Sequence, residues 1–74
     1  MLEIIRKVIE YEINRRQDAY EMLMDGYAGN IEAYIADYAN DYEVENITTG
    51  IYKVCHANGH SWVVEDGKVE RIVF

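Results

Sequence analysis

The apolar period of this chain changes once, near residue 45. Before that point apolar residues recur at steps of three and four. After it they alternate, and Asn58-Gly59 and Asp66-Gly67 punctuate the alternation. A helical period followed by a strand period predicts an α+β domain with its helices first and its strands last. The 74 residues contain no proline, low-complexity tract or internal repeat. They are read as one domain, residues 1–74, with a helical unit over 1–44 and a β-meander over 45–74.

Leu2, Ile5, Ile9, Ile13, Tyr20 and Leu23 share one face of a helix predicted over residues 2–24. Glu12 and Arg16 stand on the edge of that face, four apart and acid first, which favours an ion pair. Ile4, Val8, Tyr11 and Met22 widen the apolar arc beyond half the circumference. One neighbour does not cover so wide an arc. Either the helix is sandwiched between a sheet and a second helix, or part of the arc is a homodimer or partner surface. Asp25-Gly26 is expected to end it, with Tyr27-Ala28-Gly29 as connector. Asn30 suits an N-cap and Glu32 the first turn of a second helix, predicted over residues 31–43. Ile31, Ile35, Tyr38 and Tyr42 would face the core. Asp37 and Asp41 would lie on one flank beside Tyr34, with Glu32 and Glu43 on the other. Ala33, Ala36 and Asn40 would form a small outward face.

Residues 51–57 and 60–65 read as a hairpin across Asn58-Gly59, and residues 68–74 as a third strand after Asp66-Gly67. Two-residue turns would set Cys55 opposite Trp62, Val54 opposite Val63 and Val64 opposite Val69. The inner face would then hold Ile51, Cys55, Trp62, Val64, Val69 and Val73. Tyr52, Val54, His56, Ser61, Val63, Glu65, Lys68, Glu70, Ile72 and Phe74 would lie on the other face. Residues 44–50 are read as a short strand or a loop. The expected fold is two N-terminal helices on one face of a three-stranded antiparallel meander, ααβββ.

Cys55, His56 and His60 are metal-ligand types close together, but adjacent strand residues point to opposite faces. A zinc site wants about four convergent ligands, and the chain has one cysteine. The same divergence removes a Cys-His nucleophile pair. No catalytic residue, metal or cofactor is therefore expected. A lone cysteine fits a reducing cytoplasm, and no run reaches the ~18 apolar residues of a membrane span. The start MLEIIRK lacks the order of a signal peptide. Asn46-Ile47-Thr48 matches a glycosylation triplet without the secreted context that triplet needs.

Charge carries the functional reading. Between Arg16 and Lys53 lie 36 residues with no Lys or Arg, and with eight acids and six of the seven tyrosines. The flanking segments are nearly neutral, so the formal charge of −7 belongs to this stretch. A contiguous acidic surface interleaved with aromatics points to a basic partner. Direct nucleic-acid binding is disfavoured by repulsion from phosphate. The candidate partner-binding residues are Asp25, Tyr27, Glu32, Tyr34, Asp37, Asp41 and Glu43. In size, charge and lack of catalytic apparatus the chain resembles the small acidic anti-CRISPR and anti-restriction inhibitors of phages and mobile elements. That resemblance carries no motif. It implies a cytoplasmic, non-catalytic protein that blocks a basic nucleic-acid-binding site on its target by charge mimicry. The alternative is a structural or regulatory homo-oligomer built through the first helix.

Overall fold

The computed structural model describes residues 2–72. Val73 and Phe74, expected to complete the last strand, lie outside the described residues. The chain runs α1 (Leu2–Arg15), α2 (Gln17–Tyr27), α3 (Ile31–Tyr38), a single 3₁₀ turn (Ala39–Asp41), then β1 (Tyr42–Thr48), β2 (Ile51–His56), β3 (Ser61–Glu65) and β4 (Lys68–Ile72). The strands form one antiparallel sheet in the order β1-β2-β3-β4. The class is α+β, as the change of period implies. Its detail differs from expectation, with three helices in place of two and four strands in place of three.

The predicted first helix is two helices. Arg16 is extended, with φ −118° and ψ 122°. Its N–H donates to the Glu12 carbonyl at 2.8 Å, and its carbonyl accepts from the Tyr20 N–H at 3.1 Å. The guanidinium donates to both carboxylate oxygens of Asp18, at 3.1 and 2.6 Å. Arg15 lies in the last turn of α1 and Asp18 in the first turn of α2. Each charge complements the dipole of its helix end, so the break is favoured without glycine or proline. The expected Glu12–Arg16 pair is replaced by Arg16–Asp18.

α2 runs past Gly26 and closes at Ala28 (φ 53°) and Gly29 (φ 79°). The Ala28 N–H donates to the Leu23 carbonyl, a six-to-one bond, and the Gly29 N–H reaches the same carbonyl at 3.1 Å, so an end carbonyl of the helix is satisfied past the left-handed residue. Asn30 caps α3 as expected, its side-chain oxygen accepting from the Ala33 N–H at 3.2 Å. α3 stops at Tyr38 rather than near residue 43. Tyr42 and Glu43 therefore lie on β1, a strand that starts earlier than the segment 44–50 considered for it.

The wide arc of α1 is covered from two sides. Ile5 and Ile9 are buried with Leu23, Tyr34 and Ile35 of the other helices. Val8 is buried with Val54, Trp62 and Val64 of the sheet, and Ile4 and Tyr11 pack there too. The helix is thus the middle layer of a sandwich.

The β2–β3 register is one residue away from the expected one. Val54 pairs with Trp62 and Cys55 with Ser61. The connection is a three-residue loop, Ala57-Asn58-Gly59, closed by bonds from His56 N–H to the His60 carbonyl at 2.8 Å and from Gly59 N–H to the His56 carbonyl at 2.9 Å. Gly59 takes φ 96°. This is the three-residue hairpin that ends in a left-handed residue. A slip of one residue exchanges the faces of β2. Tyr52, Val54 and His56 share the helix side with Trp62 and Val64. Cys55, expected inside, lies on the outer face, half-buried, with Ser61 Oγ 3.6 Å from its sulfur. The β3–β4 turn does have two residues, both at positive φ, and Val64 pairs with Val69 as expected.

Candidate binding pocket and acidic face

At one end of the sandwich the C-terminal turn of α1, the start of α2, the end of α3 and the β2–β3 hairpin converge without filling the space between them. The cavity of about 200 Å³ is lined by Glu12, Arg16, Asp18, Tyr34, Tyr38, Asp41, Tyr42, His56, His60 and Trp62, among others. The sheet side is an aromatic wall. Tyr42 meets His56 edge-on at 4.7 Å between centroids and lies 5.9 Å from Trp62, and His60 meets Trp62 edge-on at 6.3 Å. The one-residue slip completes this wall, because it turns His56 of β2 to the helix side, where Trp62 was already expected.

Three buried polar atoms on this lining have no hydrogen-bond partner among the described residues: Glu12 Oε1, His60 Nδ1 and Trp62 Nε1. Glu12 is 7% exposed and Trp62 2%. Leaving such a group unpaired costs about 1–3 kcal/mol, so the cluster works against stability. The proton assignments follow from the neighbours. Arg71 NH2 lies 3.0 Å from His60 Nε2. A guanidinium can only donate, so Nε2 accepts and Nδ1 of the neutral ring carries the hydrogen. Trp62 Nε1 is a donor by its chemistry. The unpaired groups are thus one carboxyl acceptor and two N–H donors, all closed off from solvent.

The lining is acidic. Asp18 is matched by Arg16, while Glu12 and Asp41 have no ion-pair partner among the described residues. Burial pushes the Tyr42 phenol up to about 12, and the negative charges of its neighbours, Glu12 and Asp41 included, add to the shift. Burial likewise raises Tyr34, with Tyr38 adding and Arg16 opposing. Arg16, through its hydrogen bonds, holds the Asp18 carboxyl below the usual range.

The acidic candidates fall into three environments. Glu32 is exposed but bonded to Arg6, which also holds Glu10 at 2.9 Å. Tyr34 is 8% exposed and belongs to the helical core, with its ring 4.9 Å from Tyr38 and 5.3 Å from Tyr27. Asp25, Asp37, Asp41 and Glu43 are exposed and make no ion pair among the described residues. Tyr27 donates its hydroxyl hydrogen to Asp37 at 2.7 Å, and this bond is the main cause raising the Tyr27 phenol. Asp41 and Glu43 stand together on the rim of a shallow depression with His56 and Cys55. Asp37, Asp41 and Glu43 follow one another on α3, the 3₁₀ turn and the edge strand β1.

Comparison with family models, with curated proteins and with solved structures found no match. Among the described residues no helix is long and apolar enough to cross a membrane, and no group of three or more His, Cys, Asp or Glu side chains is arranged to hold a metal ion.

Sequence reasoning missed Glu12, His60 and Trp62 as members of one site. A signal for Glu12 was present. It stands three residues after Ile9 and four after Val8, a position on the buried stripe where an acid breaks the pattern. Such a break marks either strain or function. The sequence does place Trp62 on the inner face, and it is His56 that is hidden by the register, which the Asn-Gly pair alone does not determine.

Proposed function

We propose that the protein is a small, non-catalytic inhibitor whose acidic face occupies a basic, nucleic-acid-binding site on another protein. The observation that carries this reading is the run Asp37, Asp41 and Glu43. These acids are exposed, without basic partners among the described residues, and carried on three successive elements. Spaced carboxylates on a rigid frame stand in for phosphates, and Tyr27 adds apolar contact beside them. Charge of this kind acts mainly on association rate and on choice of partner. The chain's own charge of −7 steers it toward basic surfaces and away from nucleic acid.

The test has two stages. The immobilised protein is exposed to a bacterial lysate at low salt and eluted with a salt step. The retained protein is then purified, and its binding to nucleic acid is measured with and without this chain. The reading expects that the partner binds nucleic acid and that the chain displaces it in a salt-dependent way. Ternary binding without displacement, or retention only of proteins with no affinity for nucleic acid, would refute it. The homo-oligomer alternative rested on the wide apolar arc of α1. Most of that arc, as predicted over residues 2–24, is occupied within the chain, with Leu2, Tyr20 and Met22 of it left exposed, so the acidic face is the better motivated surface.

A further inference from the structure

We infer that the open edge of β1 takes one added strand, supplied by an extended basic segment of the partner protein with the pattern basic–apolar–basic. The inference rests on the reading of a basic partner and adds the form of the contact. β1 is the first strand of the sheet and pairs only with β2. Such an edge presents a row of backbone donors and acceptors on which another chain can pair.

The ladder fixes which groups face outward. The Ala57 N–H donates to the Asp41 carbonyl at 3.0 Å, one step beyond the Tyr42–His56 pair of the register. Asp41 therefore bonds toward β2, and so, by the alternation of an antiparallel pair, do Glu43 and Glu45. Tyr42, Val44 and Asn46 turn their backbone groups the other way. The Tyr42 N–H agrees with this, since it is bonded back to the Ala39 carbonyl. At the far end the register breaks between Asn46 and Thr48, and the Asn46 side chain donates to the Thr48 and Ile51 carbonyls at 2.9 and 3.2 Å. The open stretch runs from the Tyr42 carbonyl, through both backbone groups of Val44, to the Asn46 N–H.

Side chains decide which strand fits. A residue paired with Val44 would lie on the helix side, beside a half-buried valine that reaches both core clusters. An apolar side chain belongs there. Its two neighbours would lie on the outer face beside Glu43 and Glu45, which are exposed and make no ion pair among the described residues. Opposite charges across a strand pair stabilise it and like charges destabilise it, so both neighbours should be Lys or Arg. A second copy of the chain is disfavoured on the same ground. Antiparallel pairing about Val44 would set Glu43 of each copy against Glu45 of the other. β4, the opposite edge, offers Lys68-Val69-Glu70 and Glu70-Arg71-Ile72, neither of which is basic–apolar–basic.

The probe is the acetylated and amidated peptide Thr-Lys-Val-Lys-Thr, titrated into the full chain at low salt while backbone amides are followed by NMR. Paired with Val44, the peptide valine points its N–H at β1, whereas the two lysines point theirs away. Two further peptides therefore carry one N-methyl group each, on the valine or on one lysine, with charge unchanged. The plain peptide should shift the Val44 and Asn46 amides saturably and slow hydrogen exchange at Val44. Methylation of the valine nitrogen should weaken binding by at least about tenfold, since one hydrogen bond is lost. Methylation of the lysine nitrogen should leave binding nearly unchanged. Glu43→Lys combined with Glu45→Lys should abolish it. Should that variant fail to fold, the two methylated peptides on the parent chain decide. Equal binding of those two would reduce the contact to charge alone, which overturns strand addition and leaves the proposed function standing. A response at β4 instead of β1, no response to any peptide, or growth of the chain alone into larger species protected at β1 would also overturn the inference.

Discussion

Val54 and Cys55 are neighbours in sequence and opposites in environment. Val54 is fully buried against Val8 and Trp62, whereas Cys55 is half-buried on the outer face of the sheet. Removing two buried carbons from Val54 should cost about 2 kcal/mol in transfer and cavity terms. Cys55→Ala should cost less than about 1 kcal/mol. Denaturant unfolding of the two variants checks the register directly, since the register first expected from the sequence reverses their order. Which residues alternate was legible in the sequence, and which of the two faces turns inward was not. Asn58-Gly59 is compatible with a two-residue or a three-residue loop, and one residue of difference inverts every side chain of β2. Tyr42 gives a second measurement at this scale. Its phenol is raised from 10.0 to about 12, chiefly by burial. A raised acid contributes its full share of stability below the unfolded value. That share is lost as pH climbs through the folded value, because the unfolded chain releases its proton first. Stability should therefore fall between about pH 10 and 12, and Tyr42→Phe should flatten that fall in a series of denaturant midpoints. Tyr27 and Tyr34 are raised too, so a residual slope should remain.

Elements with strong local signals formed where the sequence placed them. Asn30 offers a cap to the Ala33 N–H, and Asn30→Ala should cost about 1 kcal/mol, read as a lower melting temperature with an unchanged fold. Asp66-Gly67 made the tight turn that its type favours, with both residues at positive φ. The misjudged boundaries have a common cause, in that amphipathic periodicity continues through a break when both segments bury the same side. Leu23 of α2 lies in the same cluster as Ile5 and Ile9 of α1, so the apolar stripe alone cannot reveal the extended residue between them. The charges could. Arg15 near the end of one helix and Asp18 near the start of the next form the terminal pattern expected of two helices. The end of α3 was obscured for the opposite reason. Tyr38 and Tyr42 keep helical spacing although Tyr42 already belongs to β1, where it reaches both core clusters. The candidate pocket inherits both failures, since it lies where the α1–α2 break and the slipped hairpin meet.

At the scale of the whole molecule the charge is unevenly carried. Two sides of α1 pack into the core, and the basic residues Arg6 and Arg16 are bonded to acids. Exposed acid without a counter-charge is left on α3, the 3₁₀ turn and β1. Asp37→Lys combined with Asp41→Lys tests whether that surplus has a use. Asp41 makes no ion pair among the described residues, and Asp37 gives up one exposed hydrogen bond from Tyr27. Stability should drop by no more than about 1 kcal/mol, and relief of repulsion within the acidic stretch works in the other direction. Binding to a basic partner should suffer far more, because two attractions become two repulsions at close range. For the parent chain, affinity should also decline steeply as salt shortens the range of the field, and the variant should show a shallower decline. Calorimetric melting separates the two effects from titration against the partner. If the double variant binds as tightly as the parent, and with the same salt dependence, the acids on this face serve only to keep the protein solvated and apart from its copies.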